Sequence, residues 1–174
     1  MVVTVTWSDT AGSAAAVSSP VNWGNITNGT QSTAMDLYLW HDGANEITSC
    51  GFYVQAYSGT GYSGSAGTAA DYSELIAWGD TSTGTGDSTD DGGFWINQTA
   101  AAFPAGGWQV FCSTAGVSGT EITLATEAMD TGVTVGQLDA GDEAHVQVKV
   151  AVPSYEDTAG TRAFDSCLKY TYTS

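Results

Sequence analysis

Between Leu138 and Pro153 the chain reads LDAGDEAHVQVKVAVP, and in it Ala144, Val146, Val148, Val150 and Val152 alternate with His145, Gln147, Lys149 and Ala151. Successive side chains of an extended backbone point to opposite faces, so this is a long strand with one apolar and one wet face. Such a strand suits an antiparallel sheet that packs on a core from one side only. Asp139-Ala140-Gly141-Asp142 before it and Pro153 after it stop the pairing. No other stretch is so clearly patterned. It constrains the fold class strongly and the chemistry weakly.

The rest of the chain repeats the theme in shorter pieces. Val2–Trp7 alternates and is expected to be a first strand, with Val3, Val5 and Trp7 on one face. Trp23 and Ile26 are expected in a short strand before a turn at Asn28-Gly29. Ala34–Trp40 places Met35, Leu37 and Leu39 inward and Tyr38 and Trp40 outward; after a turn at His41-Asp42-Gly43, Glu46–Gln55 carries Ile47, Phe52 and Val54 to the core. Trp108–Cys112, Thr120–Ala125 and Val133–Val135 are further strand candidates. Arg162–Thr173 closes the chain with Phe164, Leu168, Tyr170 and Tyr172 on one face and Ser166 among them. Strand signals at short intervals with turn residues between them predict an antiparallel sandwich or an eight-stranded jelly roll.

Residues 56–107 break this rhythm and are read as a loop-rich elaboration within one domain spanning 1–174. The stretch opens with YSGTGYSGSAGTAA, too poor in apolar residues to form a core layer. Asp71-Tyr72-Ser73-Glu74 has the form of a capping box, so one short helix holding Leu75 and Ile76 and ending at Gly79 is expected. The acidic loop GDTSTGTGDSTDDGG follows, and Phe94-Trp95-Ile96 then forms a short strand.

Charge excludes whole classes of partner. Nineteen acids face three cations, Lys149, Arg162 and Lys169, for a formal net charge of −16. Phosphate backbones and anionic membranes repel such a chain, so nucleic acid and membrane are not expected partners. No apolar run approaches the ~20 residues needed to span a bilayer. The start, MVVTVTWSD, has no basic region or long apolar core and does not read as a secretory signal. Cys50, Cys112 and Cys167 are widely spaced with no metal-ligand pattern, as expected of reduced thiols in a cytoplasm.

Catalytic signatures are absent from the sequence. His41 and His145, the two histidines, lie in no serine or cysteine motif. No carboxylate sits in a distinctive apolar setting of the kind a glycosidase acid needs. Asp80, Asp87, Asp90 and Asp91 are the weak candidates for a calcium site, but their spacing does not match an EF-hand, and a solvated loop is the simpler reading. No cofactor is expected. Of six tryptophans, Trp7 and Trp23 are assigned to the core, whereas Trp40, Trp78, Trp95 and Trp108 lie near turns or in the elaboration. One or more of these four is expected at the surface, where indole rings anchor proteins or stack on sugars.

Two blocks resemble the immunoglobulin-like domains of surface and assembly proteins. One runs from Trp23-Gly24-Asn25-Ile26 to Gly51; the other runs from Leu138-Asp139-Ala140-Gly141 through Pro153 and Gly160-Thr161-Arg162-Ala163-Phe164 into the last strand. The Cys–Trp–Cys spacing of antibody domains is missing. The Val/Thr-rich start, the segment from Ala69-Ala70-Asp71-Tyr72 to Ala77-Trp78-Gly79-Asp80 and the Tyr170-Thr171-Tyr172-Thr173 ending resemble small virion proteins of tailed bacteriophages. These resemblances imply an all-β, immunoglobulin-like sandwich and a non-enzymatic virion protein. The role implied is decoration of the outer capsid, with the major capsid protein and further copies of the chain as partners and the host cytoplasm as the place of synthesis. Lys149, Arg162 and Lys169 would then meet acids on a shell protein. A tail or cell-surface module that binds a host glycan or receptor through Trp78 or Trp95 is the competing expectation.

Overall fold

The computed structural model describes residues 5–10, 16, 21–41, 47–56, 69–79, 92–98, 108–111, 121–123 and 143–172. Within them the chain is largely all-β, with two sheets and a single short helix. The strands are β1 (Val5–Ser8), β2 (Thr30–Gln31), β3 (Met35–His41), β4 (Ile47–Ala56), β5 (Gly93–Gln98), β6 (Trp108–Val110), β7 (Glu121–Thr123), β8 (Glu143–Val152) and β9 (Phe164–Tyr172). The helix α1 spans Ala69–Trp78.

The alternating strand that dominates the sequence also dominates the larger sheet. That sheet has the order β1-β3-β8-β5-β6, and β2 adds to the end of β8. β8 therefore pairs antiparallel with three strands, including Leu37 opposite Val146, Ile96 opposite Val148 and Thr30 opposite Val152. The smaller sheet has the order β7-β4-β9, also antiparallel, with one extra residue in β4 between Thr48 and Gly51. Such a bulge shifts the side-chain parity of one strand against its neighbour.

Aromatic rings join the two sheets. Phe94 of β5 and Phe111, just beyond β6, stack at 5.5 Å, and both meet Phe52 of β4, at 6.3 and 5.8 Å. Phe164 of β9 reaches Phe94 at 4.9 Å, and Trp7 of β1 sets its edge on Phe52 at 5.3 Å. Leu37, Leu39, Ile96, Val146, Val148, Val150 and Val54 complete this core. Ring pairs at these separations add about 0.5–1.5 kcal/mol each beyond the apolar area they bury.

The stretch read as an elaboration holds two elements of this core. β5 lies between β8 and β6, and α1 contributes Leu75, Ile76 and Trp78. Two glycines let helix and strand meet. A Cβ on Gly92 would collide with Pro153 and Trp78, and Gly93 adopts a φ of 102° with the Leu75 carbonyl 3.2 Å from where its Cβ would stand. The Gly92 amide donates to the Trp78 carbonyl at 3.0 Å, satisfying an acceptor that the helix end leaves open.

Local expectations were corrected at two places. Trp23 and Ile26 pack against the core but form no strand, because the Asn22 side chain accepts from the Gly24 amide and Gly24 takes a φ of 73°. Extension resumes only after the turn closed by the Thr30 amide on the Thr27 carbonyl, in β2. The capping box also gives way: α1 begins at Ala69, so Asp71 lies inside it, and the Glu74 carboxylate accepts from Arg162 Nε instead of reaching back. A charge-assisted bond of that kind outcompetes a neutral backbone partner. The strand expected at Val133–Val135 and the turn at Asp42-Gly43 lie outside the described residues.

Replacing Phe94 with Ala removes the ring shared by both sheets and is expected to cost about 3–5 kcal/mol. The check is the urea midpoint at unchanged slope. A loss below about 1 kcal/mol would mean that the ring does not join the sheets.

Candidate functional site

The outer face of the larger sheet, turned away from the aromatic core, carries most of the polar side chains that the described strands bring together. The register makes it continuous. Asp36 stands opposite Gln147, Gln147 opposite Asn97, and Asn97 opposite Trp108, one row across β3, β8, β5 and β6. Tyr38 stands opposite His145 in the row above, and Lys149 opposite Trp95 in the row below.

Asp36 anchors the polar end. Its Oδ1 accepts from Gln147 Nε2 at 2.9 Å and lies 2.9 Å from His145 Nε2. An ionised carboxylate only accepts, so this contact places a proton on Nε2. The Gln147 hydrogen bond, followed by that of His145, holds the Asp36 carboxyl below its ordinary range. Tyr38 stacks on the imidazole at 4.5 Å with a 12° tilt, fixing the ring against the sheet. Ser8 lies opposite Tyr38, but its hydroxyl donates to the Thr10 carbonyl and accepts from the Thr10 amide, closing a local turn.

The other end of the face is dry. Trp95, Val110 and Ala151 form a second buried cluster with Trp108 against it. The Trp95 indole is 0 % exposed and donates to the Gly92 carbonyl at 3.1 Å. Lys149 is only 5 % exposed, with its ammonium 4.1 Å from the centre of the Trp108 ring. The ring quadrupole attracts the cation while the aliphatic stem covers apolar surface. Between the two ends sits Asn97, whose Oδ1 is buried with no hydrogen-bond partner among the described residues. A buried acceptor left in that state costs about 1–3 kcal/mol.

The residues singled out in the sequence divide sharply. Trp78 is buried at the end of α1, and its indole donates to Glu156 Oε2 at 3.2 Å. Together with Trp95 it belongs to the interior, not to the expected surface; glycine-rich neighbours suggested a loop, but close approach of helix and strand is what those glycines serve. Trp108 is half-buried, and the Trp40 side chain lies outside the described residues. Lys149 and Arg162 are drawn into contacts with Trp108 and Glu74, so neither projects as the exposed cation expected; the Lys169 side chain is not described. Asp80, Asp87, Asp90 and Asp91 also lie outside the described residues. Among those described, no three His, Cys, Asp or Glu side chains converge as a metal site. No described helix is long and apolar enough to cross a membrane.

Sequence reasoning missed Asp36, Tyr38, Gln147 and Asn97 as a group. His145 and Gln147 were visible as wet-face residues of β8, but their partners sit over a hundred positions away. Only the pairing of β3 and β5 with β8 brings them together. No protein-family model, curated protein or solved structure matches the chain.

Because folding lowers the Asp36 pKa, its contribution to stability is present above the unfolded value near ~3.9 and is lost as pH falls through the folded one. Asp36→Asn is therefore expected to lower the urea midpoint at neutral pH, with the difference from the parent protein shrinking as pH falls through the folded pKa. A constant difference between the two at every pH would remove the carboxylate from the account.

Proposed function

We propose that the chain is a non-enzymatic structural protein of a virion, a decoration protein on the outer surface of a tailed-phage head, built on an immunoglobulin-like sandwich. The observation that carries this reading is electrostatic. Nineteen acids oppose three cations, and two of those cations are spent on contacts inside the fold, Lys149 over Trp108 and Arg162 on Glu74. Packaged DNA repels such a surface, which favours the outside of a shell over its lumen. Two antiparallel sheets around one aromatic core support the immunoglobulin-like reading, together with the sequence blocks that resemble it.

Attachment to the major capsid protein or to neighbouring copies then falls to neutral and aromatic groups, since Lys149 and Arg162 are engaged. Tyr155, 64 % exposed, is the large side chain best placed for this among the described residues. It sits on a braced turn: the Glu156 amide donates to the Pro153 carbonyl, and the Glu156 carboxylate accepts from Thr158 and from Trp78. Exposed tyrosines on preorganised loops lose little entropy on docking and are frequent interface anchors. The competing tail or cell-surface module, reading a host sugar through Trp78 or Trp95, is disfavoured because both indoles are buried.

Gold-labelled antibody against the protein is expected to decorate intact heads uniformly, and Tyr155→Ala is expected to loosen attachment without unfolding the chain. Label confined to tails, or found only inside emptied heads, would overturn the proposal.

A further inference from the structure

We infer that Asn28-Gly29 is a site of spontaneous deamidation, and that the turn tying β2 to β8 gates the reaction. This goes beyond attachment to a shell and rests on no part of that reading. Of the asparagines in the chain, only Asn28 is followed by glycine. Deamidation begins when the backbone nitrogen of the next residue attacks the asparagine Cγ. Glycine has no side chain to crowd that approach. Asn25 is exposed like Asn28, but it precedes Ile26, whose branched side chain hinders the same attack.

The step needs only water as co-reactant. The Gly29 nitrogen bonds to Asn28 Cγ and gives up its proton. The Cγ–Nδ2 bond breaks, and Nδ2 leaves with that proton as ammonia, closing a five-membered succinimide. Water then adds to either ring carbonyl and breaks its bond to nitrogen, leaving aspartate or isoaspartate. In isoaspartate the main chain runs through Cβ and Cγ, so it is one carbon longer. Either product adds a carboxylate to a chain already at net charge −16.

The fold holds both reacting groups off this path. Gly29 donates its N–H to the Val152 carbonyl at 2.8 Å, so the nucleophile is engaged. Asn28 Nδ2 lies 3.5 Å from the Ser154 carbonyl, a long contact that draws the carboxamide toward the segment after β8. Rotation within the turn is also restrained. Gly29 takes a φ of 72°, and the Thr30 amide and hydroxyl both donate to the Thr27 carbonyl, at 3.1 and 2.5 Å. Ser154 Cβ stands 3.4 Å from where a Gly29 Cβ would be, so the two segments are in contact. Attack therefore requires the turn to lift from β8 first. Once isoaspartate forms, the extra carbon carries Gly29 out of register with Val152, and the original pairing cannot close again. A transient opening is converted into a permanent mark.

The test compares two rates. The full chain is incubated at neutral pH, folded or in guanidinium chloride, and deamidation at Asn28 is followed by peptide mass spectrometry. Hydrogen exchange of the Gly29 amide is measured on the folded chain, because the same N–H supplies the nucleophile. The folded chain is expected to deamidate at least about tenfold more slowly than the unfolded one, by a factor that matches the protection of the Gly29 amide. Thr30→Pro removes the amide that bonds Thr27 and restricts the backbone of Gly29, so it is expected to bring the folded rate toward the unfolded one. Ser32→Ala removes the hydroxyl that accepts from the Val150 amide and is expected to raise the rate less, which keeps the test open if the proline variant does not fold. Asn28→Gln is expected to abolish the signal. Equal rates in the folded and unfolded chains, slowing unrelated to Gly29 protection, a folded rate indifferent to both variants, or reaction at Asn25 ahead of Asn28 would each overturn the inference.

Discussion

The contact between Phe94 and Phe52 is the one on which the rest of the structure depends. Phe94 belongs to the larger sheet and Phe52 to the smaller, and Phe111, Phe164, Trp7 and Trp23 are all arranged around these two rings. Remove the pair and the core loses the two rings that its other aromatic side chains meet. Three strands alone, in the order β7-β4-β9, cannot cover a six-stranded sheet without large side chains to fill the gap. Stacked sheets stand about 10 Å apart, which rings span and valines do not. The valines of β8 serve instead as the floor on which the rings rest.

A second constraint acts on the opposite side of the larger sheet. Near β5 and β6 that side is also dry, with Trp95, Val110 and Ala151 buried and Lys149 lying over Trp108. Toward β3 it becomes polar, through Asn97 and Gln147 to exposed Asp36. One face of one sheet thus grades from core to surface along a single row. That gradient leaves Asp36 as the exposed polar end of the face, with the Asn97 amide oxygen buried toward β5.

Much of this fold was legible in the residues and some was not, for identifiable reasons. β3 buries Leu37 and Leu39, β4 buries Phe52 and Val54, and β8 buries Val146 and Val148, each pair with a less buried residue between, and alternation is a local signal that needs no knowledge of the partner strand. β5 was visible as the short apolar run Phe94-Trp95-Ile96, but its place beside β8 was not. A strand buried on both faces shows no alternation, and nothing local encodes which strand it joins. The burial of Trp78 was hidden for a similar reason, since its neighbours Gly79 and Gly92 look like loop residues until helix and strand are brought into contact. Lys149 looked like a free cation because its aromatic partner lies 41 positions earlier at Trp108. Of the candidate site, His145 and Gln147 were visible as wet-face residues; Asp36 and Asn97 join them only through strand register.

The central claim is that α1 and β5 are integral to the core and not an appendage on a complete sandwich. Native-state hydrogen exchange tests it most directly, because each amide reports the free energy of the smallest opening that exposes it. The account predicts that amides of Phe94–Ile96 in β5 and of Val146–Val150 in β8 exchange only by global unfolding, with matching free energies and matching denaturant dependence. Exchange of the β5 amides through a separate, cheaper opening while β8 stays protected would contradict it.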